Sequence, residues 1–232
     1  MTATDAAGRR DELLLDAPVP WALPLPRDLV GDERAAWPAR AADDAAASAA
    51  HWPAEAVELL PAILEHALDS RGDEGLVLFL LSPTAPACAT LRIAVLPSPG
   101  RAAVARDLRA APRTALVTRI EGAGLGDGAE WVHGAPMPGG SGEQLAGLQW
   151  CFAGDDELVL ATLDPVPPPM LAHVVDLARE LVSGLRRVRD DGDWLAPALP
   201  EGVGFRTGEA WPDPAARAAS VVDAAAPGGA GR

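Results

Sequence analysis

Residues 148–188 constrain the fold more than any other part of the chain, because a hairpin pattern there leads into a proline run and an amphipathic helix. Apolar side chains alternate with small or polar ones through 148–153, which is the period of a strand with one apolar face. A glycine and two aspartates at 154–156 are typical turn residues, and 158–163 is again strongly apolar. These residues are therefore predicted to form an antiparallel hairpin.

The prolines at 165 and 167–169 end this hairpin, because proline lacks the amide donor that a strand ladder needs. From Met170 onward, apolar side chains recur at steps of three and four, which predicts a long helix with one apolar stripe. The stripe comprises Leu171, Val174, Ala178, Leu181, Leu185 and Val188. We expect this helix to pack on the apolar face of the hairpin. The polar residues outside the stripe, Arg179 among them, are expected to face water, and the arginines at 186, 187 and 189 to favour the helix C-terminus.

Shorter periodic segments predict the remaining elements. Helices are predicted over 53–69, with a bend or restart at Pro61, and over 101–110. Strands are predicted over 76–81, 90–96 and 114–120 and around Trp131 and His133, with a loop or hairpin tip at 121–128. Strands joined as hairpins and flanked by helices indicate an α+β fold. We expect an antiparallel sheet of about five or six strands with the long C-terminal helix packed on it.

The ends of the chain lack clear periodicity. We expect residues 1–17 to be a flexible N-terminal lead, 18–194 a single α+β domain, and 195–232 a largely disordered C-terminal tail. Prolines alternate with apolar residues around Trp21, which predicts an edge strand or a polyproline-like arm that could pack Trp21 onto the sheet. The alanine-rich residues 32–50 are a linker or a weakly held helix.

Several of these segments carry a resemblance. Residues 23–28, 89–95, 157–165 and the helix end at 183–187 resemble parts of an uncharacterised family of small actinobacterial proteins. The layout also resembles the PsbP/Mog-like α/β/α sandwich, and the likeness spans roughly residues 20 to 190. The resemblance implies a fold but no known activity, so no functional residue is carried over. PsbP/Mog-like domains often serve as accessory factors, and the resemblance therefore implies an accessory role.

The charge and composition exclude several classes of function. A net charge of −14 repels polyanions, which argues against nucleic acid and anionic membranes as partners. The chain contains no lysine, and this rules out the ordinary forms of a phosphate-binding P-loop and of Schiff-base chemistry. The N-terminus has too few apolar residues for a signal peptide, and the apolar run at 76–81 is far too short to span a bilayer. We therefore expect a cytoplasmic protein without membrane insertion.

No catalytic, metal or cofactor motif is recognisable in the sequence. The four histidines lack the i, i+4 pairing of a helical zinc site, and Glu130 and His133 are predicted to lie on opposite faces of a strand. Ser141 lacks the second glycine of a nucleophile elbow, and the alternating glycines at 122–128 lack a dinucleotide fingerprint. The acidic runs at 155–157 and 190–193 do not match a calcium loop. Cys88 and Cys151 are read as small buried thiols, with a disulfide left open.

The tryptophans suggest a protein partner. Trp37, Trp52 and Trp194 flank proline-rich or polar segments, where an indole is expected to be only partly buried, and Trp21 lies in the extended arm. Exposed tryptophan is a common anchor at interfaces, so these four residues are the candidate partner-binding positions.

The leading hypothesis from the sequence is a non-catalytic cytoplasmic protein-interaction domain, an adaptor or chaperone-like accessory factor. It would dock through the arm near Trp21 or through a sheet edge. The alternative is an enzyme or small-ligand binder whose site gathers distant residues such as His133, Asp164 and Arg119. A third hypothesis is homodimerisation through the sheet.

Overall fold

Two antiparallel sheets and five helices make up the part of the chain that the computed structural model describes, which is residues 2–4, 10–15, 20–73, 75–110, 117–137 and 144–200. The helices are α1 (Gly31–Ala46), α2 (Ala54–Glu58), α3 (Leu60–Asp69), α4 (Arg101–Ala110) and α5 (Pro168–Ser183). The strands are β1 (Thr2–Thr4), β2 (Arg10–Leu15), β3 (Ala22–Pro24), β4 (Leu76–Leu81), β5 (Cys88–Pro97), β6 (Thr118–Ala123), β7 (Gly126–Pro136), β8 (Gln144–Ala153), β9 (Glu157–Val166), β10 (Leu185–Arg189) and β11 (Gly192–Trp194).

The main sheet has seven strands in the order β3-β4-β5-β9-β8-β7-β6, and every neighbouring pair is antiparallel. The α+β class with an antiparallel sheet is therefore confirmed. The sheet has seven strands rather than the expected five or six, because the arm after Trp21 joins it as β3. The glycine-rich residues 121–128 belong to β6, β7 and the turn between them. The turn at 154–156 joins β8 to β9 as the hairpin pattern predicts.

Apolar clusters lie on both faces of this sheet. On one face, buried residues of α5 belong to the same cluster as inward residues of β4, β5, β8 and β9, such as Leu78, Ile93, Trp150 and Leu163. On the other face, α1 and α3 share a cluster with β4, and α4 shares one with β7, β8 and β9. Because strand side chains alternate, one strand serves both faces, as Leu78 and Phe79 do on β4.

The long helix ends earlier than its apolar stripe predicts. It stops at Ser183, and Leu185–Arg189 forms strand β10, which pairs with β2 and β11 in a second sheet of order β1-β2-β10-β11. Leu185 and Val188 fit a helical stripe by spacing, but pairing with β2 and β11 decides their conformation. The three arginines therefore do not cap the helix. They pair instead with acidic residues, as Arg187 does with Glu157 and Arg186 with Asp193.

The boundaries expected at the two ends also shift. Residues 10–15 lie inside the expected flexible lead, yet they form β2, and Leu13 and Leu15 pack against the main cluster. Ala196 and Leu199 are buried, so the ordered domain continues past residue 194. Residues 201–232, including the rest of the expected tail, lie outside the described residues.

In the N-terminal half, the structure decides between linker and helix for residues 32–50 and between bend and restart for the helix at Pro61. Residues 31–46 form helix α1, which buries small side chains at Ala41, Ala42 and Ala45, rather than a linker. The predicted helix over 53–69 restarts at Leu59, and Pro61 occupies the first turn of α3, where its missing amide costs no hydrogen bond. No helix among the described residues is long and apolar enough to cross a membrane.

Replacing Leu181 of α5 with alanine tests how much the packing of this helix contributes to stability. Leu181 is buried in the main cluster, so Leu181→Ala should lower the free energy of unfolding by about 2–5 kcal/mol, as measured by urea denaturation. Leu59→Ala is the matched control, because Leu59 is 58% exposed, and it should change stability by less than about 0.5 kcal/mol. Equal losses in the two variants would contradict the packing.

Candidate functional site

A cavity of about 300 Å³ lies between strand β6 and helix α5, above strands β7 and β8. Among the described residues β6 pairs only with β7, so it forms one edge of the main sheet. We call this cavity the β6–α5 groove. Its lining residues are Thr118, Arg119, Ile120, Ala123, Glu130, Trp150, Phe152, Arg179, Val182 and Ser183. Apolar side chains from the edge strand, the floor and the helix therefore surround a small charged centre.

One end of the groove is closed by the turn of the β6–β7 hairpin. The backbone N–H of Gly124 donates to the carbonyl of Ser183 at 2.9 Å, which ties the turn to the last residue of α5. A Cβ on Gly124 would lie 2.3 Å from the carbonyl oxygen of Leu185, so only glycine permits this approach. Leu125 is fully buried beside it. The two walls of the groove therefore converge at Gly124 and Ser183.

The floor of the groove holds a buried charge network. Glu130 of β7 is only 8% exposed, and its Oε2 accepts hydrogen bonds from the indole of Trp150 and from Nε of Arg179, both at 2.9 Å. Its Oε1 accepts a second bond from the Arg179 guanidinium at 2.5 Å. Arg179 also reaches Asp176, one turn earlier on α5, at 3.3 Å. One carboxylate thus joins β7, β8 and α5.

The protonation of Arg179 follows from this network. Burial lowers the pKa of its guanidinium, but the hydrogen bonds and charge of Glu130, with a contribution from Asp176, outweigh that effect and raise the pKa above its ordinary value. The expectation that Arg179 faces water is therefore wrong. A charged glutamate on the buried face of a strand is normally paired with a cation, so Glu130 in the sequence indicated that a cationic partner would be nearby. The sequence contains many arginines and does not show which one supplies it.

The other polar residues proposed from the sequence do not form one site. His133 of β7 lies on the opposite face of the sheet from Glu130, as its spacing predicts. There it sits above Gly147, where an added Cβ would come within 2.7 Å of its Nε2. Asp164 is close enough to act on the His133 charge, and it forms an ion pair with Arg92 at 2.9 Å. Arg119 instead lies on β6 and lines the groove. The structure therefore brings His133 and Asp164 together but not Arg119.

His133 is held in a site that disfavours its charge. Burial lowers the pKa of the imidazole below its ordinary value of 6.5, and the carbonyl of Leu163 and the carboxylate of Asp164 oppose this effect without cancelling it. Its Nε2 is buried and has no hydrogen-bond partner among the described residues. Protonation of His133 in the folded protein is therefore unfavourable relative to the unfolded chain.

The candidate tryptophans divide into two groups. Trp52 and Trp194 are buried, so the expectation that they are only partly buried is wrong. The indole of Trp52 donates to the carbonyl of Ser82 at 2.8 Å, and that of Trp194 packs over Gly154. Both rings are therefore part of the buried core of the protein and do not lie on its surface. Trp21 and Trp37 are half-buried against the apolar clusters on the two sides of the sheet.

The remaining candidates give no reactive centre in the described part of the chain. Cys88 and Cys151 are free thiols, and burial raises their pKa values to about 11 and about 12. No group of three His, Cys, Asp or Glu side chains among the described residues could hold a metal ion. Ser141 lies outside the described residues, and the glycines at 122–128 belong to the β6–β7 hairpin.

Comparisons of the chain with family models, with curated proteins and with solved structures find no match. The geometry of the fold and of the groove is therefore the basis for a functional assignment.

Arg179→Met should destabilise the protein by about 3–5 kcal/mol, because it leaves the Glu130 carboxylate buried without its cation. Adding Glu130→Gln to this variant should recover a large part of the loss, since the buried charge is removed as well. Asp176→Asn is the control, because Asp176 is 74% exposed, and it should cost less than about 1 kcal/mol. Urea denaturation of the parent protein, Arg179→Met, Glu130→Gln, the double variant and the Asp176→Asn control measures the coupling. Additive losses at residues 130 and 179 would contradict the network.

The lowered pKa of His133 predicts a pH-dependent loss of stability. The unfolded chain binds the proton more readily, so the free energy of unfolding should fall as the pH drops below 6.5 and through the lower pKa of the folded state. His133→Gln should show a smaller loss over the same interval, because this residue no longer titrates. Denaturation curves at a series of pH values make the comparison, and parallel profiles for the two proteins would refute the assignment.

Proposed function

We propose that this chain is a non-catalytic protein-interaction domain that receives an extended segment of a partner polypeptide along strand β6. The observation that carries the proposal is the position of the β6–α5 groove directly beside a sheet edge. An edge strand presents backbone N–H and C=O groups that can pair with an added strand, and pockets beside it select the side chains. The groove supplies such a pocket.

The size and lining of the groove suit one side chain of the partner. Side chains of an added strand alternate between the two faces of the sheet, so every second one lies on the α5 side, where the groove is. The volume of about 300 Å³ is at the small end of the range for ligand sites, and Ile120, Phe152 and Val182 make its walls apolar. An aliphatic or aromatic residue of the partner would therefore be the anchor.

The charged groups of the groove favour binding over catalysis. The carboxylate of Glu130 already accepts three hydrogen bonds from Arg179 and Trp150. A group engaged in this way is poorly placed to move a proton to or from a substrate. His133, whose pKa is lowered, lies on the opposite face of the sheet. We therefore assign the network to positioning α5 and shaping the groove.

The opposite sheet edge suits docking less well. Strand β3 has three residues and includes Pro24, and prolines and short lengths protect edges against added strands. The arm near Trp21 is already used inside the protein, since the carbonyl of Trp21 accepts a hydrogen bond from Leu81 at 2.8 Å. Of the two docking elements expected from the sequence, the proposal therefore retains the sheet edge.

The role of an adaptor or chaperone-like accessory factor is part of the proposal. It is supported by the resemblance of the layout to PsbP/Mog-like domains, together with helices on both faces of an antiparallel sheet. The cytoplasmic location expected from the sequence stays a prediction. A small molecule is the second candidate occupant, because a cavity of this volume that combines apolar walls with an arginine–glutamate pair also suits a small amphipathic ligand.

Selection from a displayed library of random peptides tests the proposed function. The folded protein should enrich extended peptides that share one large apolar residue. Ser183→Trp should weaken their binding at least about tenfold, because Ser183 is an exposed residue whose enlargement fills the groove. Ala36→Trp, at an exposed position of α1, is the matched control and should bind like the parent protein.

Both variants must first show the circular dichroism and unfolding midpoint of the parent protein. Failure to enrich any peptide that Ser183→Trp rejects would refute a peptide occupant. Small molecules that raise the unfolding midpoint of the parent protein and of Ala36→Trp, but not that of Ser183→Trp, would support the second candidate instead.

A further inference from the structure

We infer that the segment received along β6 is strand β6 of a second copy of this chain. This inference rests on the proposed function, because it uses the same edge, and it names the partner. Antiparallel pairing of two β6 strands about a twofold axis joins the two main sheets into one continuous sheet, and such self-pairing is a common form of symmetric association. The sequence of the edge supports this partner.

The charges on β6 are self-complementary in one register. Arg119 and Glu121 flank Ile120 and lie on the same face of the strand, where they form an ion pair with each other at 3.5 Å and are 50% and 71% exposed. If the two strands pair with Ile120 opposite Ile120, Arg119 of each copy lies opposite Glu121 of the other. Opposite charges in directly facing positions stabilise a strand pair, and like charges destabilise it.

The neighbouring registers are disfavoured by the same residues. Directly opposite residues of two paired strands lie on the same side of the sheet, so a symmetric pair can be centred only on a single residue. Centring the pair on residue 119 places Arg119 opposite Arg119, and centring it on residue 121 places Glu121 opposite Glu121. Only the register centred on Ile120 therefore brings opposite charges together, which is how strand pairs obtain specificity.

Two features of the chain limit the strength of this contact. The ladder with β7 shifts register between Ile120 and Ala123, so the regular part of the edge is short. The net charge of −14 makes two copies repel each other at long range. Salt screens that repulsion beyond about 8 Å at physiological ionic strength, whereas facing pairs on adjacent strands lie well within this distance. We therefore expect a reversible dimer that forms in physiological salt at high protein concentration.

The geometry also relates the dimer to the β6–α5 groove. Ile120 lies on the α5 side of the sheet, and it lines the groove. In the proposed pairing, Ile120 of the second copy lies directly across from it at the rim of the cavity. The two grooves and the two α5 helices then lie side by side on the same face of the continuous sheet. The apolar wall of each groove is thereby extended by the second copy.

Sedimentation equilibrium in physiological salt tests the inference through charge complementation. Arg119→Glu and Glu121→Arg alone should each weaken dimerisation by at least about tenfold, because each places like charges opposite one another. An equimolar mixture of the two variants should recover the dimer, because each glutamate then faces an arginine of the other variant. The variant that carries both substitutions should also dimerise, since the pattern is preserved in reverse.

Arg106→Glu is the matched control. Arg106 belongs to an exposed ion pair with Asp107 on α4, outside β6, so its reversal changes the net charge by the same amount as Arg119→Glu and should leave dimerisation unchanged. Recovery on mixing shows that the single variants are folded. A parent protein that stays monomeric up to millimolar concentration, or a mixture that stays monomeric, would overturn the inference.

The outcome separates this inference from the proposed function. A monomeric protein that still selects peptides rejected by Ser183→Trp would overturn only the second copy as the partner. A monomer that selects no such peptide would overturn both. A dimer that forms in the parent and reappears on mixing supports both, because the β6 edge is then shown to accept a strand.

Discussion

The groove depends on the burial of one negative charge. The Glu130 carboxylate lies under α5 and is satisfied only if Arg179 and Trp150 both reach it. A buried carboxylate without these partners would cost several kcal/mol, roughly the effect of breaking a buried ion pair. Burial of the apolar stripe sets which face of α5 meets the sheet, and the bidentate arginine pair adds a directional contact at one position along the helix. The pair therefore fixes the helix relative to β7 and β8, and with it one wall of the groove.

The second wall is positioned by close backbone contact rather than by charge. The turn of the β6–β7 hairpin reaches the end of α5 through the bond from Gly124 to Ser183, and Ala196 donates to the carbonyl of Leu125 at 2.8 Å. A side chain at position 124 would collide with Leu185. Strand β6 is thus held at one end by the turn, by hydrogen bonds to β7, and by the packing of Ile120 and Ala123 against the main cluster. Helix α5 lies over β4, β5, β9 and β8 and reaches β7 through the Arg179–Glu130 pair, and the groove is the space left between the helix and the edge strand.

Local patterns predicted the elements that have a clear period of their own. The β8–β9 hairpin, the α4 helix and the start of α5 follow directly from alternation, turn residues and three-to-four spacing. Leu185 and Val188 are three residues apart, a spacing that fits a helix and not one face of a strand. Only the pairing of β10 with β2, far away in sequence, makes this segment a strand. Residues 10–15 have no clear period of their own, and their pairing with β10 makes them strand β2. Pairing between distant segments is not encoded in the spacing of either segment alone.

The candidate site was less predictable than the fold, and the reason is also one of sequence distance. Glu130 and Arg179 are 49 residues apart, and neither occurs in a motif. In the sequence, Glu130 is a carboxylate in a strand with apolar neighbours, and Arg179 is a cation beside the apolar stripe of a helix. Their pairing follows only from the strand order, which places β7 next to β8 and beneath α5.

The same strand order determines which surface remains for a partner. In the described part of the chain, the five central strands of the main sheet are paired on both sides, and the edge strand β3 is short and includes a proline. Strand β6 is the other edge, paired on one side only. The register shift after Ile120 shortens its regular edge, so backbone pairing alone would bind a partner weakly. Selectivity must then come from side chains. The groove offers one apolar position, and Arg119 with Glu121 offers a charge pattern that distinguishes one register from the next.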